Sequence, residues 1–174
     1  FSPKASQPTL LSRHLLSPLA GLCLEEDPAG GLVLLAVQQD GCAFAWRWGP
    51  RDDSWVAAMG QGRPAEVLGR LPGGRPAHDI RSVALARTRG GGLAVLWLQA
   101  HRGGKLGGRP LVDLCLRGVP TQGQGPAAEV CLLGTYLEAR ELIAEGSGLE
   151  RFWVVARRWL YLWDVNLRAA QCRV

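Results

Sequence analysis

The stretch from residue 152 to residue 165 constrains the fold more than any other part of the chain. It reads Phe-Trp-Val-Val-Ala-Arg-Arg-Trp-Leu-Tyr-Leu-Trp-Asp-Val. Aromatic side chains alternate with leucines in its second half, and a period of two is typical of a β-strand. The stretch lacks the polar stripe of an amphipathic helix. We therefore predict an antiparallel pair at residues 152–156 and 159–165, with both faces of the second strand covered because both are apolar.

This pattern occurs three times along the chain, in units that start about sixty residues apart. A Gly-containing turn separates the first two apolar runs of each unit, and ten residues separate Leu22 from Leu32, Val83 from Leu93 and Leu142 from Phe152. The apolar runs are residues 19–24, 32–37 and 42–48 in the first unit, 80–86, 93–98 and 111–116 in the second, and 141–144, 152–156 and 159–165 in the third.

Each unit also has a candidate fourth strand. Residues 55–59 or 66–71 would close the first unit and residues 129–136 the second, and residues 171–174 would begin the fourth strand of the third. Four strands repeated at a fixed period indicate β-propeller blades. The fold class that we predict is all-β, a partial β-propeller of about three four-stranded antiparallel blades. The alternative is a β-sandwich with evenly spaced strands. The predicted units are residues 10–64, 65–126 and 127–174, after a loose arm at 1–9.

Several residues resemble the blades of the WD-repeat family. Trp163-Asp164 stands where that family often carries its Trp-Asp dipeptide, and Asp40-Gly41 followed by Trp46 is similar to its Asp-Gly turn and strand-ending Trp. The middle unit instead reads Leu-Val-Asp-Leu-Cys-Leu at the dipeptide strand, and Arg157-Arg158 replaces the turn of the third unit. The resemblance implies a divergent propeller of four-stranded blades. Three blades are fewer than the four to eight that close a ring, so we expect further blades from the same polypeptide or from a partner.

Composition narrows the class of protein. Hydrophobic residues make up 47% of the chain, and the net charge is +5, which permits but does not require a nucleic-acid partner. The sequence has no long apolar run, so we expect no membrane insertion. The chain begins at Phe1 without a signal-peptide pattern, so we expect part of a longer polypeptide.

The five cysteines fall in predicted strands and form no Cys-x-x-Cys pair. Neither zinc-ligand spacing nor an even disulfide set is present, so we expect no metal, no cofactor and free thiols. This predicts an intracellular, reducing location, nuclear or cytoplasmic. The cysteines are Cys23, Cys42, Cys115, Cys131 and Cys172.

The sequence contains no recognisable catalytic motif. It lacks Gly-x-Ser-x-Gly, His-Glu-x-x-His and the Gly-x-x-x-x-Gly-Lys phosphate loop. Paired carboxylates lie in predicted loops, and His101 is interpreted as a loop residue. We therefore predict that the protein is not an enzyme and has no small-molecule substrate.

One set of basic residues is a candidate binding site. In an antiparallel four-stranded blade, the turns between strands two and three lie at the same end as the connections into strand one. This places several cations together, where they could bind an acidic peptide, a phosphate group or nucleic acid, or form an ordinary solvated surface. The candidates are Arg75, Arg102, Lys105, Arg109, Arg157 and Arg158, with Arg13 and His78 nearby.

The function that we predict is a non-catalytic scaffold or protein-interaction module in a multiprotein complex, with other protein subunits as partners. The alternative is a nucleic-acid-associated module that binds through the basic face. The blade assignment also predicts a buried core. Its expected members are Leu34, Ala36, Val95, Trp97, Trp159, Tyr161, Leu162 and Trp163.

Overall fold

A computed structural model of the chain describes residues 17–26, 31–49, 54–57, 70–71, 75–76, 78–88, 92–118, 130–145 and 150–165, and at 49, 54–57, 70–71, 75–76 and 102 it describes the backbone. All regular elements in these ranges are β-strands. They are β1 (Leu19–Glu26), β2 (Leu32–Gln38), β3 (Ala43–Gly49), β4 (Ser54–Ala57), β5 (Arg70–Leu71), β6 (Arg75–Pro76), β7 (Ile80–Arg87), β8 (Leu93–Leu106), β9 (Arg109–Gly118), β10 (Cys131–Leu137), β11 (Ala139–Ala144), β12 (Arg151–Ala156) and β13 (Leu160–Asp164).

The strands form antiparallel sheets in which neighbours in sequence are neighbours in space. β1 to β4 make the first sheet, β7 to β10 the middle sheet and β11 to β13 the third sheet, while β5 and β6 form a short ribbon. Every paired strand is antiparallel to its neighbour. The prediction of an all-β fold with antiparallel sheets is therefore confirmed.

Most of the predicted strands are present. β12 and β13 pair as predicted, with Phe152 opposite Trp163. β4 supplies the fourth strand of the first sheet, whereas the alternative at residues 66–71 contains β5, which pairs with β6. β10 pairs with β9, so the middle sheet extends to Leu137 and the third sheet begins at Ala139. The predicted arm, the strand at 171–174, Arg13 and Cys172 lie outside the described residues.

The repeat is visible in the register of the strands. The first strand of each sheet has an irregularity in its pairing near its beginning, and these irregularities are again about sixty residues apart. The pairing shifts between Leu19 and Gly21, between Ile80 and Ser82, and between Ala139 and Glu141.

The third hairpin is shorter than the other two. Leu22 pairs with Ala36 and Val83 with Trp97, fourteen residues further on in both cases. Leu142 pairs with Val154, only twelve residues further on. The predicted offset of ten residues therefore marks equivalent positions in the first two units but not in the third.

The three sheets pack face against face in chain order, and the middle sheet lies between the other two. We define the front face of a sheet as the one that points toward the next sheet in the chain, and the rear face as the opposite one. Between the first and middle sheets, the front face contributes Leu35, Val37, Ala43 and Ala45, and the rear face contributes Leu85, Val95, Trp97 and Cys115. Between the middle and third sheets, the front face contributes Ala86, Leu96, Leu98 and Leu114, and the rear face contributes Leu142, Phe152 and Val154.

The first strands of the three sheets are adjacent, because β7 contacts both β1 and β11. β1 approaches β7 so closely that a Cβ atom on Gly21 would lie 2.7 Å from the Cβ of Val83. On the other side of β7, the backbone N–H of Leu142 donates to the Ser82 hydroxyl at 3.0 Å. Gly21 in β1 and Ser82 in β7 occupy equivalent positions. A glycine or a small polar residue there lets the first strand of one sheet pack closely on the first strand of the next sheet.

The burial predictions are partly wrong. Ala36, Val95 and Trp97 are buried as predicted, and Leu34, Tyr161 and Trp163 are half-buried. Trp159 is 66% exposed and Leu162 is 46% exposed. The reason is that only the rear face of the third sheet packs against another sheet within the described residues, so the expectation of cover on both faces of β13 is also wrong.

Candidate functional site

The β8–β9 hairpin carries two of the predicted basic residues at its tip. Lys105 pairs with Pro110 and Leu106 with Arg109, and both basic side chains are exposed. Gly107 and Gly108 form the turn with φ values of 58° and 78°, which is the backbone of a tight two-residue hairpin. Residues 105–110 therefore form the paired end of the β8–β9 hairpin.

The predicted pair Arg157-Arg158 lies in the turn between β12 and β13. The N–H of Ala156 donates to the carbonyl of Trp159 and closes this turn. Arg157 Nη1 is 3.5 Å from Glu138 Oε1, and the backbone N–H of Glu138 donates to Pro110 O at 2.9 Å. Glu138 therefore connects the arginine turn to the base of the β8–β9 hairpin.

The structure thus brings four predicted cations to one end of the sheets. Exposed Arg140 lies two residues after Glu138 and was not predicted. Arg75 lies in β6 and Arg102 in β8, and only their backbone is described. We call the basic end the set formed by Lys105, Arg109, Arg140, Arg157 and Arg158.

A row of polar side chains crosses the rear face of the middle sheet near the same end. Gln99 pairs with Asp113, and Asp113 with Thr135. His101 Nδ1 lies 2.9 and 3.0 Å from the two carboxylate oxygens of Asp113, and the Thr135 hydroxyl donates to Asp113 Oδ1 at 2.7 Å. His101 belongs to β8, so its interpretation as a loop residue is wrong.

The hydrogen bonds in this row hold neighbouring strands together and do not form a catalytic arrangement. The proton of the Thr135 hydroxyl satisfies Asp113 and is not directed at His101, so the contacts do not form a base-activated nucleophile. Trp97 Nε1 donates to Gln99 Oε1 at 2.8 Å, which joins the row to the apolar core. Gln99 is 1% exposed, and its Nε2 has no partner among the described residues. The sequence signal for this row was Asp113 inside the apolar run at 111–116 and Gln99 directly after the run at 93–98.

The three packed sheets form a stack, and at each end of this stack lies an apolar face that no described sheet covers. One is the front face of the third sheet, where Leu160 is 64% exposed. The other is the rear face of the first sheet, where Leu22 is 63% exposed. We call these the open front face, with Ile143, Trp153, Val155, Leu160 and Leu162, and the open rear face, with Leu22, Leu24, Leu34 and Trp46. Phe44 points to the same side as Trp46 but is buried.

An open cleft of about 720 Å³ lies along β13. Tyr136 reaches it from the middle sheet and packs against the rings of Tyr161 and Trp163, with centroids 4.8 and 6.1 Å away. β13 is an edge of its sheet within the described residues, whereas β9 and β3 are each covered by a fourth strand. Within the described residues, therefore, the cleft lies beside the last strand of its sheet.

The cysteines of the described ranges form no disulfide bonds. Burial raises the pKa of Cys115, and the nearby Asp113 carboxylate raises it further. Burial also raises the pKa of Cys23 to about 11, although a hydrogen bond to the backbone at Leu85 lowers it in part. Cys42 precedes β3, so its placement inside a strand was wrong. The raised pKa values indicate that Cys23 and Cys115 are poor nucleophiles at neutral pH.

The described residues contain no group of three or more metal-binding side chains. Among the same residues, the structure has no helix that is long and apolar enough to cross a membrane. Comparisons of the chain with models of known protein families, with curated proteins and with solved structures found no match.

Proposed function

We propose that the three sheets are successive blades of a WD-like β-propeller and that the protein is a non-catalytic scaffold for other protein subunits. The repeated register, the meander order of each sheet and the adjacent first strands support the blade assignment. A blade buries its faces against neighbouring blades, as the middle sheet does here.

The observation that carries the proposal is the apolar character of both open faces. Covering exposed leucines with a partner favours association by about 25 cal/mol for each Å² of apolar area that is removed from water. Contiguous apolar patches on soluble proteins mark interaction surfaces. Leu160 and Leu162 on the third sheet, and Leu22 and Leu24 on the first, are all about half exposed or more. The two ends of the stack are therefore surfaces suited to further sheets or to partner subunits.

β13, the last strand of its sheet among the described residues, offers a second mode of contact. An exposed strand edge presents backbone N–H and C=O groups that an added strand can pair with. β10 on β9 and β4 on β3 show how such a strand is held in the other sheets. Because the aromatic cleft lies beside this edge, a bound strand would gain backbone hydrogen bonds and side-chain contacts together.

The experiment is light scattering coupled to size-exclusion chromatography over a range of protein concentrations. We expect the chain to self-associate on its own, and the double variant Leu160→Ser, Leu162→Ser to associate less. The matched control is Leu106→Ser, because Leu106 is also 64% exposed but lies at the tip of the β8–β9 hairpin. A stable monomer that unfolds cooperatively at every concentration would contradict the scaffold proposal.

The basic end supports a second candidate, a module that binds nucleic acid. The specific observation is the link through Glu138, which holds the arginine turn beside the Lys105–Arg109 hairpin. Binding to several phosphates should weaken steeply with salt. The measurement is a salt titration of DNA and RNA binding with the variant Lys105→Gln, Arg109→Gln and the control Arg151→Gln, since Arg151 begins β12 at its other end. Absence of binding at low salt would remove this candidate.

A scaffold of this kind would operate in a reducing compartment, nuclear or cytoplasmic. Four cysteines without disulfide bonds in the described ranges fit such a compartment, where thiols stay reduced. Treatment with a mild oxidant tests this, since the proposal predicts new intermolecular disulfides and no gain in stability.

A further inference from the structure

The basic end also carries two large apolar side chains that face solvent. Leu106 is 64% exposed at the tip of the β8–β9 hairpin, and Trp159 is 66% exposed in the turn between β12 and β13. A single exposed apolar residue is ordinary on a protein surface. Here each one directly follows cations, Leu106 after Lys105 and Trp159 after Arg157-Arg158. The two turns therefore present the same combination of positive charge and apolar surface.

Backbone and side-chain contacts hold the two turns beside each other. The N–H of Glu138 donates to the carbonyl of Pro110 at 2.9 Å, and Pro110 pairs with Lys105 in the hairpin. The Glu138 carboxylate lies 3.5 Å from Arg157 Nη1. Glu138 has a φ of 55°, a left-handed conformation that costs free energy in a residue other than glycine. The backbone hydrogen bond supports this conformation, so the backbone as well as the side chains links the two turns.

The cations of the basic end outnumber the carboxylates that contact them. Glu138 is paired with Arg157, and its side chain is mostly buried. Among the described residues, no ion pair holds the other four cations, which are Lys105, Arg109, Arg140 and Arg158. All four side chains are exposed. A partner for this surface must therefore supply negative charge.

Two classes of acidic partner would use this surface differently. A single strand of nucleic acid lays its phosphates along a basic groove and stacks successive bases on successive aromatic rings. Trp159 is the exposed ring that the described part of the basic end offers, and Leu106 has no ring face. A protein segment can instead place apolar side chains against both Trp159 and Leu106, and its carboxylates against the cations. Trp and Arg are also the side chains most enriched among the strong contacts of protein interfaces.

We propose that the basic end binds an acidic segment of a partner protein that carries two apolar anchor side chains among its carboxylates. This inference rests on the scaffold function proposed above and gives the chemistry of one partner. A segment with many carboxylates and few apolar residues does not fold alone, so it becomes ordered on binding. Its anchors cover Leu106 and Trp159, and its carboxylates face the four exposed cations.

The test measures the binding of synthetic peptides to the wild-type chain by fluorescence anisotropy at physiological salt. The probes are labelled glutamate peptides that contain one phenylalanine and one leucine, in a set that varies the spacing of these two anchors. One control set replaces both anchors by alanine, and a second replaces the glutamates by glutamine. We expect at least one anchored acidic peptide to bind about tenfold more tightly than its two counterparts.

Variants of the basic end test whether the peptide binds there. Trp159→Ala should weaken binding of the anchored acidic peptide by about tenfold, because the variant removes the larger apolar contact. Lys105→Gln, Arg109→Gln should weaken it by about three- to tenfold, because exposed charge pairs contribute less. Circular dichroism checks folding. Leu106→Ser, at the hairpin tip, tests the second apolar contact independently if Trp159→Ala disturbs its turn.

Two matched controls lie at the opposite end of the sheets. Arg151→Gln removes an exposed cation at the start of β12, and Leu132→Ser removes a leucine that is 46% exposed near the start of β10. Neither should change the peptide Kd. Loss of binding in either control would place the peptide elsewhere and overturn the inference.

Single-stranded oligothymidylate tests the nucleic-acid alternative under the same conditions. If it binds more tightly than every peptide and depends on Lys105 and Arg109, the inference is overturned in favour of the nucleic-acid module. Equal binding of the anchored and alanine peptides would show attraction by charge alone and overturn it too, as would the absence of peptide binding. These results are independent of self-association, which tests the scaffold, so the two proposals fail separately.

Discussion

The middle and third sheets both have strongly apolar strands, but these strands lie in different environments. In β8 of the middle sheet, residues 93–99 are buried without interruption, on both faces. In β13 of the third sheet, Tyr161 and Trp163 are half-buried on the rear face, while Leu160 and Leu162 are exposed on the front face. Both strands alternate apolar side chains. The difference shows that the position of a sheet in the stack, and not the pattern of its strands, decides which of its faces is core.

The largest expected effect is the loss of unfolding free energy when a tryptophan of the middle sheet is truncated, compared with a tryptophan of the third sheet. Trp97 is fully buried in the middle sheet and donates to Gln99, so Trp97→Ala should lower the free energy of unfolding by about 3–5 kcal/mol. Trp153 on the open front face is half-buried, so Trp153→Ala should cost clearly less. Urea titration measures both. Equal losses for the two variants would show that the third sheet is covered as the middle sheet is.

The second prediction compares one repeat position in a covered interface and on an open face. Gly21→Val places side-chain atoms against Val83 and should lower the free energy of unfolding by about 1–3 kcal/mol through overpacking. Glu141→Val, at the equivalent position on the exposed front face, should change it by less than about 0.5 kcal/mol. Both are measured by thermal unfolding. A tolerated Gly21→Val would mean that β1 and β7 do not pack closely.

The strand pairs and the repeat could be predicted from the sequence because both depend on local pattern. Alternating apolar side chains gave the β12–β13 hairpin, and equal spacing gave the three sheets. The open face could not be predicted. Leu160 and Leu162 are as apolar as Tyr161 and Trp163, so only the tertiary arrangement distinguishes the two faces of β13.

The candidate site could be predicted only in part, because some of its contacts also depend on the tertiary arrangement. Turn topology alone placed Arg109 and Arg157 at the same end, whereas the bridging role of Glu138 depends on its ion pair with Arg157 and on its backbone hydrogen bond to Pro110. His101 follows an apolar run and precedes two glycines, which suggested a loop. The structure keeps it in β8, beside an irregularity in pairing between Ala100 and Lys105, where it contacts Asp113 across the sheet.

The third prediction uses the pKa of a thiol on the covered front face of the first sheet. Cys23 has a pKa of about 11 in the folded chain, against 9.0 ordinarily, because burial disfavours the thiolate. Its neutral form therefore contributes stability below pH 9 that is lost as the pH rises toward 11, by at most about 3 kcal/mol. The measurement is the free energy of unfolding against pH for the wild-type chain and for Cys23→Ala, in which the loss should be smaller because only the contribution of Cys115 remains.

The matched control places a thiol at the same repeat position on the open front face. Ile143 is equivalent to Cys23 and is exposed. The thiol of Ile143→Cys should titrate near the ordinary value and react with a thiol reagent at pH 8 without denaturant, whereas Cys23 should react only slowly. If both thiols reacted at the same rate, the first sheet would not be covered by the middle sheet.

The smallest effect is expected for Leu162→Ser on the open front face. Leu162 is 46% exposed, so its truncation should change the free energy of unfolding by no more than about 0.5 kcal/mol in dilute solution. At higher concentration the wild-type chain should gain apparent stability, because association stabilises the folded form in proportion to the logarithm of concentration. Leu162→Ser should not show this gain, while Leu106→Ser at the hairpin tip should show it in full. A loss of several kcal/mol in dilute solution would mean that Leu162 packs inside a single chain, and the third sheet would then resemble the middle one after all.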